Sequence, residues 1–118
     1  MSSFVKGNEL YNSKNYGEAL SYYIKAIEEK DNEPYSYYNA SVCYIKLKDF
    51  SRAIDMLSKA IDLNLDAKYF FNLAYCYSMI NSPQKALRYF NMAWALDNSD
   101  KDCEKAINLI VNKYKKAP

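Results

Sequence analysis

Tyr37-Tyr38-Asn39-Ala40-Ser41-Val42-Cys43-Tyr44, moved along the chain by 33 residues, falls on Phe70-Phe71-Asn72-Leu73-Ala74-Tyr75-Cys76-Tyr77. Ring lies on ring, amide on amide, thiol on thiol and small residue on small residue. The same shift lays Arg52-Ala53-Ile54 on Lys85-Ala86-Leu87, and Lys59-Ala60-Ile61 on Met92-Ala93-Trp94. A shift of 34 carries Glu18-Ala19-Leu20 and Lys25-Ala26-Ile27 onto the second of these copies. Self-similarity at this period marks a stack of supersecondary units, each too small to bury its own apolar face alone.

Each unit reads as two helices. Ala19, Leu20, Tyr23, Ala26 and Ile27 follow i, i+1, i+4, i+7, i+8 spacing, as do Ala53, Ile54, Leu57, Ala60 and Ile61, and Ala86, Leu87, Phe90, Ala93 and Trp94. That spacing makes one apolar stripe on an α-helix and not the alternation of a strand. In the first halves, Tyr37, Ala40, Ser41 and Tyr44 form a stripe matched by Phe70, Leu73, Ala74 and Tyr77. Gly7, Ser41 and Ala74 keep each stripe small in the middle, so that a paired helix can approach closely. A last stripe of Ala106, Ile107, Ile110, Val111 and Tyr114 predicts a seventh helix that caps the open end.

Boundary signals agree with this division. Asn15, Asp49 and Ser82 stand just before the second helices as side-chain caps, and Ser99 opens the last segment. Pro83 suits a first helical position, where its missing N–H costs nothing. Pro34 falls in the turn ahead of the second unit.

Composition narrows the function. Of 118 residues, half are hydrophobic and 16% aromatic, enough for a core and unlike a disordered tail. Only 2 Gly and 3 Pro argue against a turn-rich β-fold. There is no His, which removes the commonest general base and the commonest transition-metal ligand together. Catalytic residues, a metal and a cofactor are therefore not expected. The 3 Cys include no C-x-x-C pair and read as reduced, buried thiols. A net charge of +2, with acids interleaved among the lysines, does not suggest nucleic-acid binding. No apolar run approaches a membrane span, and no secretory signal pattern opens the chain, so a cytoplasmic protein is expected.

The repeated pattern resembles the tetratricopeptide repeat, carried by Tyr37…Ser41…Tyr44…Ala53…Leu57…Ala60, by Phe70…Ala74…Tyr77…Ala86…Phe90…Ala93, and by Gly7…Leu10…Ala19…Tyr23…Ala26. The Pro that usually closes each repeat is missing, the second unit is one residue short, and Ser3 and Lys6 stand where large apolar residues are usual. The resemblance implies an all-α, right-handed solenoid in one domain over 1–118, with repeats at about 2–33, 34–66 and 67–99 and a capping helix at about 100–116. It also implies a concave groove, lined by the first helix of each unit, that holds a peptide or a partner's helix.

Beside the core stripes, the groove-facing positions are Phe4, Asn8, Tyr11 and Asn12, then Tyr35, Tyr38, Asn39, Val42, Ile45 and Lys46. The third unit adds Lys68, Phe71, Asn72, Tyr75 and Met79, and the last helix Lys105, Leu109 and Asn112. Rings give contact area at low entropic cost, and amides can pair with a peptide backbone. The family's carboxylate-clamp domains, found in heat-shock co-chaperones, use Lys-x-x-x-Asn, Asn and Lys-x-x-x-Arg on successive first helices. Asn8, Asn39 and Lys68 match that pattern, whereas Phe4 and Asn72 replace two cations.

The expected function is a protein-interaction module of adaptor or co-chaperone type whose ligand is a peptide, with a C-terminal or acidic segment favoured by Lys68. Two alternatives stay open: a self-associating scaffold within an assembly, which would make homo-oligomers, and a chaperone for a secreted client.

Overall fold

Residues 1–115 are described by the computed structural model, and they form seven α-helices with no strand among them. The helices are α1 (Ser3–Asn12), α2 (Tyr16–Glu28), α3 (Tyr35–Lys46), α4 (Phe50–Leu63), α5 (Ala67–Met79), α6 (Pro83–Leu96) and α7 (Lys101–Lys115). Each pair of helices matches one copy of the sequence repeat, with α7 as the additional element. The fold is all-α and repeat-built, as the spacing predicts. The chain divides into two compact units, Met1–Asn64 with α1 to α4 and Leu65–Pro118 with α5 to α7. No helix among the described residues is long and apolar enough to cross a membrane.

In the second helices the innermost positions recur at the same three places. Ala19, Tyr23 and Ala26 are buried on α2, Ala53, Leu57 and Ala60 on α4, and Ala86, Phe90 and Ala93 on α6. The larger stripe residues Leu20, Ile54, Leu87 and Trp94 stand at the edge and are half-buried. Two alanines thus let the neighbouring helix approach, and one large side chain fills the space between them. Burying a chain of that size contributes about 2–3 kcal/mol.

The small positions of the first helices answer these large ones. Gly7, Ser41 and Ala74 occupy equivalent repeat positions and are all buried. At Gly7 the partner is so close that an added Cβ would lie 2.7 Å from Cε1 and 2.8 Å from Cδ1 of Tyr23. Cys43 and Cys76 are fully buried beside these positions, and all three cysteines are free. Buried hydroxyls find partners in the turn or helix beside them: Ser41 Oγ donates to the Tyr38 carbonyl at 2.6 Å, and Ser36 Oγ to that of Asp31.

Four helix ends finish alike. After α1, α2, α3 and α5, residues Lys14, Lys30, Lys48 and Asn81 adopt left-handed backbone with φ of 65, 53, 62 and 60°. In each case the next N–H reaches back to the third-last helical carbonyl: Asn15 to Leu10, Asp31 to Ala26, Asp49 to Tyr44 and Ser82 to Tyr77, at 2.8–2.9 Å. These are Schellman closures, usually built on glycine, and here lysine or asparagine takes the strained place. Between α2 and α3 the turn also contains a cis Glu33–Pro34 bond.

The capping expectations need correction. Asp49 does cap α4, its carboxylate accepting from Arg52 N at 3.2 Å and from the Arg52 guanidinium at 2.7 Å. Asn15 and Ser82 occupy N-cap positions without a side-chain bond, although Pro83 does begin α6. Their backbone is committed to closing the preceding helix. Ser2 caps α1, Asp66 caps α5, and Asp100 rather than Ser99 caps α7, accepting from Asp102 N and Cys103 N. Ser99 instead donates its N–H and hydroxyl to Asp97.

In the second unit α5 packs on α6 and α6 on α7. Phe70, Tyr89 and Tyr77 stack in series, with centroids 6.3 and 5.5 Å apart, and Lys85 lies 5.4 Å from the Tyr77 ring. Cys103 fastens α7, its thiol donating to the Phe90 carbonyl at 3.2 Å. The stripe of α7 is covered only at its start. Ala106, Ile107 and Ile110 are half-buried, and Val111 and Tyr114 are exposed. The far end of α7 borders a cleft of about 550 Å³ whose lining includes Pro83, Leu87, Ile110, Val111 and Tyr114.

Candidate functional site

A pocket of about 390 Å³ opens in the first unit, lined by Asn8, Tyr11, Asn12, Tyr23, Tyr38, Asn39 and Val42. Helices α1 and α3 supply six of these residues because their groove-facing positions repeat every three or four residues: 8, 11 and 12 on one helix, 38, 39 and 42 on the other. Helix α2 supplies the seventh, Tyr23, which reaches the pocket from the core side. Tyr23 is almost wholly buried, with the Phe4 ring 6.1 Å away, and its hydroxyl meets the Asn8 amide.

The polar groups of this pocket are joined. Tyr23 Oη donates to Asn8 Oδ1 at 2.6 Å, and Asn39 Nδ2 donates to the same oxygen at 3.3 Å. Burial pushes the Tyr23 phenol up to about 12, neighbouring Cys43 and Tyr11 add to this, and a hydrogen bond with Asn39 opposes it. Burial likewise raises the Cys43 thiol to about 12. None of the seven lining side chains carries a charge at neutral pH.

Of the predicted groove-facing residues, the structure gathers Asn8, Tyr11, Asn12, Tyr38, Asn39 and Val42 around this pocket. Phe4 and Tyr11 also pack against the core cluster built on Ala19, Tyr23, Ala40 and Cys43, and Tyr11 meets the edge of Tyr16 at 5.3 Å. Tyr35 is half exposed at the start of α3, outside the pocket lining. Within the second unit, Lys68 is exposed beside the Asp66 carboxylate at 4.0 Å. Phe71 meets Phe90 edge-on at 5.3 Å, so it serves the core as well. Asn72 is half-buried, and Tyr75 and Met79 are exposed on α5.

Tyr23 is the residue that periodicity does not single out, because its spacing assigns it to the core stripe. The signal that finds it is a comparison down the repeat: 23, 57 and 90 read Tyr, Leu and Phe, and only the first has a hydroxyl. Among the described residues no group of three or more His, Cys, Asp or Glu is placed to hold a metal ion. The Cys76 thiol is raised to about 12 by burial, and Cys103 is raised by burial and by nearby Asp100 and Asp97. Such thiols stay protonated and are poor nucleophiles.

Helix pairs at a 33–34-residue period, with two buried alanines flanking one large buried side chain on each second helix, define an all-α helical-repeat protein. The sequence profile of the tetratricopeptide repeat matches residues 10–74, more than half of the chain. The chain belongs to the tetratricopeptide repeat family. The mitochondrial import receptor subunit TOM70 of Saccharomyces cerevisiae is 38% identical over 61 residues, 52% of this chain and 10% of that protein. The Hsp70-Hsp90 organising protein of Plasmodium falciparum is 32% identical over 89 residues, 75% of this chain and 15% of that protein. The chain thus spans a small part of these curated relatives. Among solved structures, the first TPR of Spaghetti (RPAP3), bound to the HSP90 peptide SRMEEVD, matches with a TM-score of 0.91 at 19% identity, covering 97% of this chain and 91% of that one.

Proposed function

We propose that the chain is a protein-interaction module of adaptor or co-chaperone type, binding an extended peptide or short helix of a partner protein. The observation that carries this is the first unit's pocket, where aromatic and amide side chains converge on a space large enough for a few ligand side chains. Tyr11, Tyr38 and Val42 offer apolar contact, and Asn8 and Asn39 offer hydrogen bonds. In the second unit, Phe71, Asn72 and Tyr75 stand at the repeat positions of Tyr38, Asn39 and Val42 and are proposed as contacts on that ground. Lys68 and Met79 complete the set, with Lys68 as the cation for an acidic side chain or terminal carboxylate.

Related proteins support the reading. The RPAP3 repeats were solved with a heat-shock protein peptide, and an organising protein for two heat-shock proteins is among the relatives. The module works by binding, without catalysis or cofactor, and acts in the cytoplasm. The test begins by identifying the partner segment retained from cell extract, then measures its affinity by fluorescence anisotropy. Asn39→Ala combined with Lys68→Ala is expected to weaken binding about tenfold or more, with helicity unchanged. Unchanged affinity would remove these positions from the account.

A further inference from the structure

A shift of 67 residues lays α2 and α3 on α6 and α7: Ala19 falls on Ala86, Tyr23 on Phe90, Ala40 on Ile107 and Cys43 on Ile110. In the first unit a further helix completes this arrangement. Helix α3 packs on α4, and Met56 of α4 lies against the buried cluster of Ala19, Tyr23, Ala40 and Cys43 that α2 and α3 share. Helix α7 is the last one among the described residues, and no further helix there packs on it as α4 packs on α3. The difference shows in burial. Ala40 and Cys43 are fully buried and Tyr44 is half-buried, whereas their counterparts Ile107 and Ile110 are half-buried and Val111 is 41% exposed. The end of a repeat array normally turns a polar face outward. Helix α7 instead turns Ile110 and Val111 toward the cleft of about 550 Å³.

We propose that this cleft is a second docking site, taking an amphipathic helix of a partner protein, acidic in its first turn, in the place that α4 holds in the first unit. The site is separate from the first unit's pocket, and the inference does not depend on the reading given to that pocket. The shape of the occupant follows from the repeat. Leu87, Ile110, Val111 and Tyr114 offer an apolar seat. Leu20 and Cys43, the counterparts of Leu87 and Ile110, belong to the packed group that receives Met56 of α4. A helix is therefore what this seat holds where the chain fills it itself, and an apolar ridge at i, i+3, i+4 and i+7 fits it from outside.

Charge selects among amphipathic helices. The lining has one charged side chain, Lys85, and no acid. The Lys113 ammonium lies 5.9 Å from the ring of Tyr114, which also lines the cleft. In the first unit the counterparts of these two lysines are Glu18 and Lys46, one charge of each sign. Helix α4 opens there with Asp49 and Arg52, again one of each, paired at 2.7 Å. The second unit keeps both charges positive, so its occupant needs carboxylates. Their place is the first turn. Because α4 starts at Phe50, a short turn after α3 ends at Lys46, the first turn of a helix in its place lies beside the last turn of α7, where Lys113 stands. A helix N-terminus favours acidic residues in any case.

The test uses the 15N-labelled chain and synthetic peptides that copy residues 49–64, the α4 sequence, in two forms: unchanged and with Arg52→Glu. By NMR, the backbone amide signals of Leu87, Ile110, Val111 and Tyr114 report on the cleft, and the side-chain NH2 signals of Asn8 and Asn39 report on the first unit's pocket. The Arg52→Glu peptide is expected to shift the cleft signals saturably, with the unchanged peptide about fivefold weaker and a scrambled Arg52→Glu peptide without effect. In the chain, Val111→Glu at its exposed position should weaken binding about tenfold, and Lys85→Glu should reverse the preference between the two peptides. No saturable shift at the cleft, equal shifts with the scrambled peptide, or shifts confined to Asn8 and Asn39 would overturn the proposal. An unchanged preference in folded Lys85→Glu would overturn the acidic character given to the occupant. Cleft signals that move with chain concentration alone, together with a dimer in sedimentation, would give the place to a second copy and overturn the partner helix.

Discussion

Tyr23 in the first unit and Phe90 in the second fill the same place in the repeat, each held between two buried alanines on its helix. They differ by one oxygen. Phe90 ends against the edge of Phe71 and completes an apolar core. Tyr23 ends on Asn8, and through that amide on Asn39, so its far edge becomes the polar floor of a pocket. A repeat can therefore be turned toward recognition without altering its backbone, by giving a core ring a polar tip that meets the groove-facing amides. The residue across the helix pair adjusts as well: Gly7 faces Tyr23, whereas Ala74 stands at that position in the second unit.

The strongest way to break this comparison is to remove the two rings. Tyr23→Ala and Phe90→Ala should each cost about 3–5 kcal/mol in urea unfolding, as for other buried aromatic truncations. Only Tyr23→Ala should move the Asn8 and Asn39 side-chain signals; equal disturbance by both variants would end the distinction between floor and core. Next in size is Gly7→Ala, whose new methyl would sit 2.7 Å from the Tyr23 ring. Overpacking of this kind costs about 1–3 kcal/mol. Adding Tyr23→Leu, which places at this position the residue that position 57 holds in the next repeat, should recover a large part of that loss. A double variant no more stable than Gly7→Ala would show that the two positions are not matched.

A third measurement uses alkali. Tyr23, Cys43 and Cys76 all have folded pKa values raised to about 12, from 10.0 for the phenol and 9.0 for the thiols. A raised value means that the fold favours the protonated form. Its contribution is complete below the unfolded pKa and is lost as pH climbs from 9 or 10 toward 12. Thermal midpoints should accordingly fall above about pH 9. Tyr23→Phe and Cys43→Ala should flatten that fall, and an unchanged alkaline limb in both variants would contradict the assignment to the first unit. The smallest effect concerns the turns. Lys48→Gly should stabilise by about 0.5–1 kcal/mol, because glycine takes left-handed backbone without steric cost. Asn81→Gly, at the equivalent closure in the second unit, should gain less, since asparagine tolerates that conformation better than lysine.

The repeat and its helices were legible because they rest on spacing, which a shift of 33 or 34 residues makes visible. The close approach at Gly7 was legible for the same reason. Caps were harder to read. Asn15 and Ser82 have suitable side chains, but each first uses its backbone N–H to close the preceding helix, and the resulting turn leaves the side chain without its bond. Asp49 sits in the same kind of turn and succeeds because Arg52 also grips its carboxylate. At the pocket, periodicity separates inward from outward positions but says little about those on the border. Phe4, Tyr11 and Phe71 each pack partly into the core for that reason. Tyr23 escaped notice because spacing treats a side chain as one object, whereas this one is apolar along its ring and polar at its tip.

Within each unit, the helices that pack together follow one another along the chain: α1 with α2, α2 with α3, α3 with α4, and likewise α5 with α6 and α6 with α7. Contacts so local in sequence require little loop closure before they begin to contribute. Chains with low contact order fold quickly, and repeat arrays can nucleate at any unit and grow outward. The same wiring lets an end helix open while its neighbours hold. Hydrogen exchange should reveal a gradient along α7, fast near Tyr114 and slow near Cys103, where the thiol is fastened to α6.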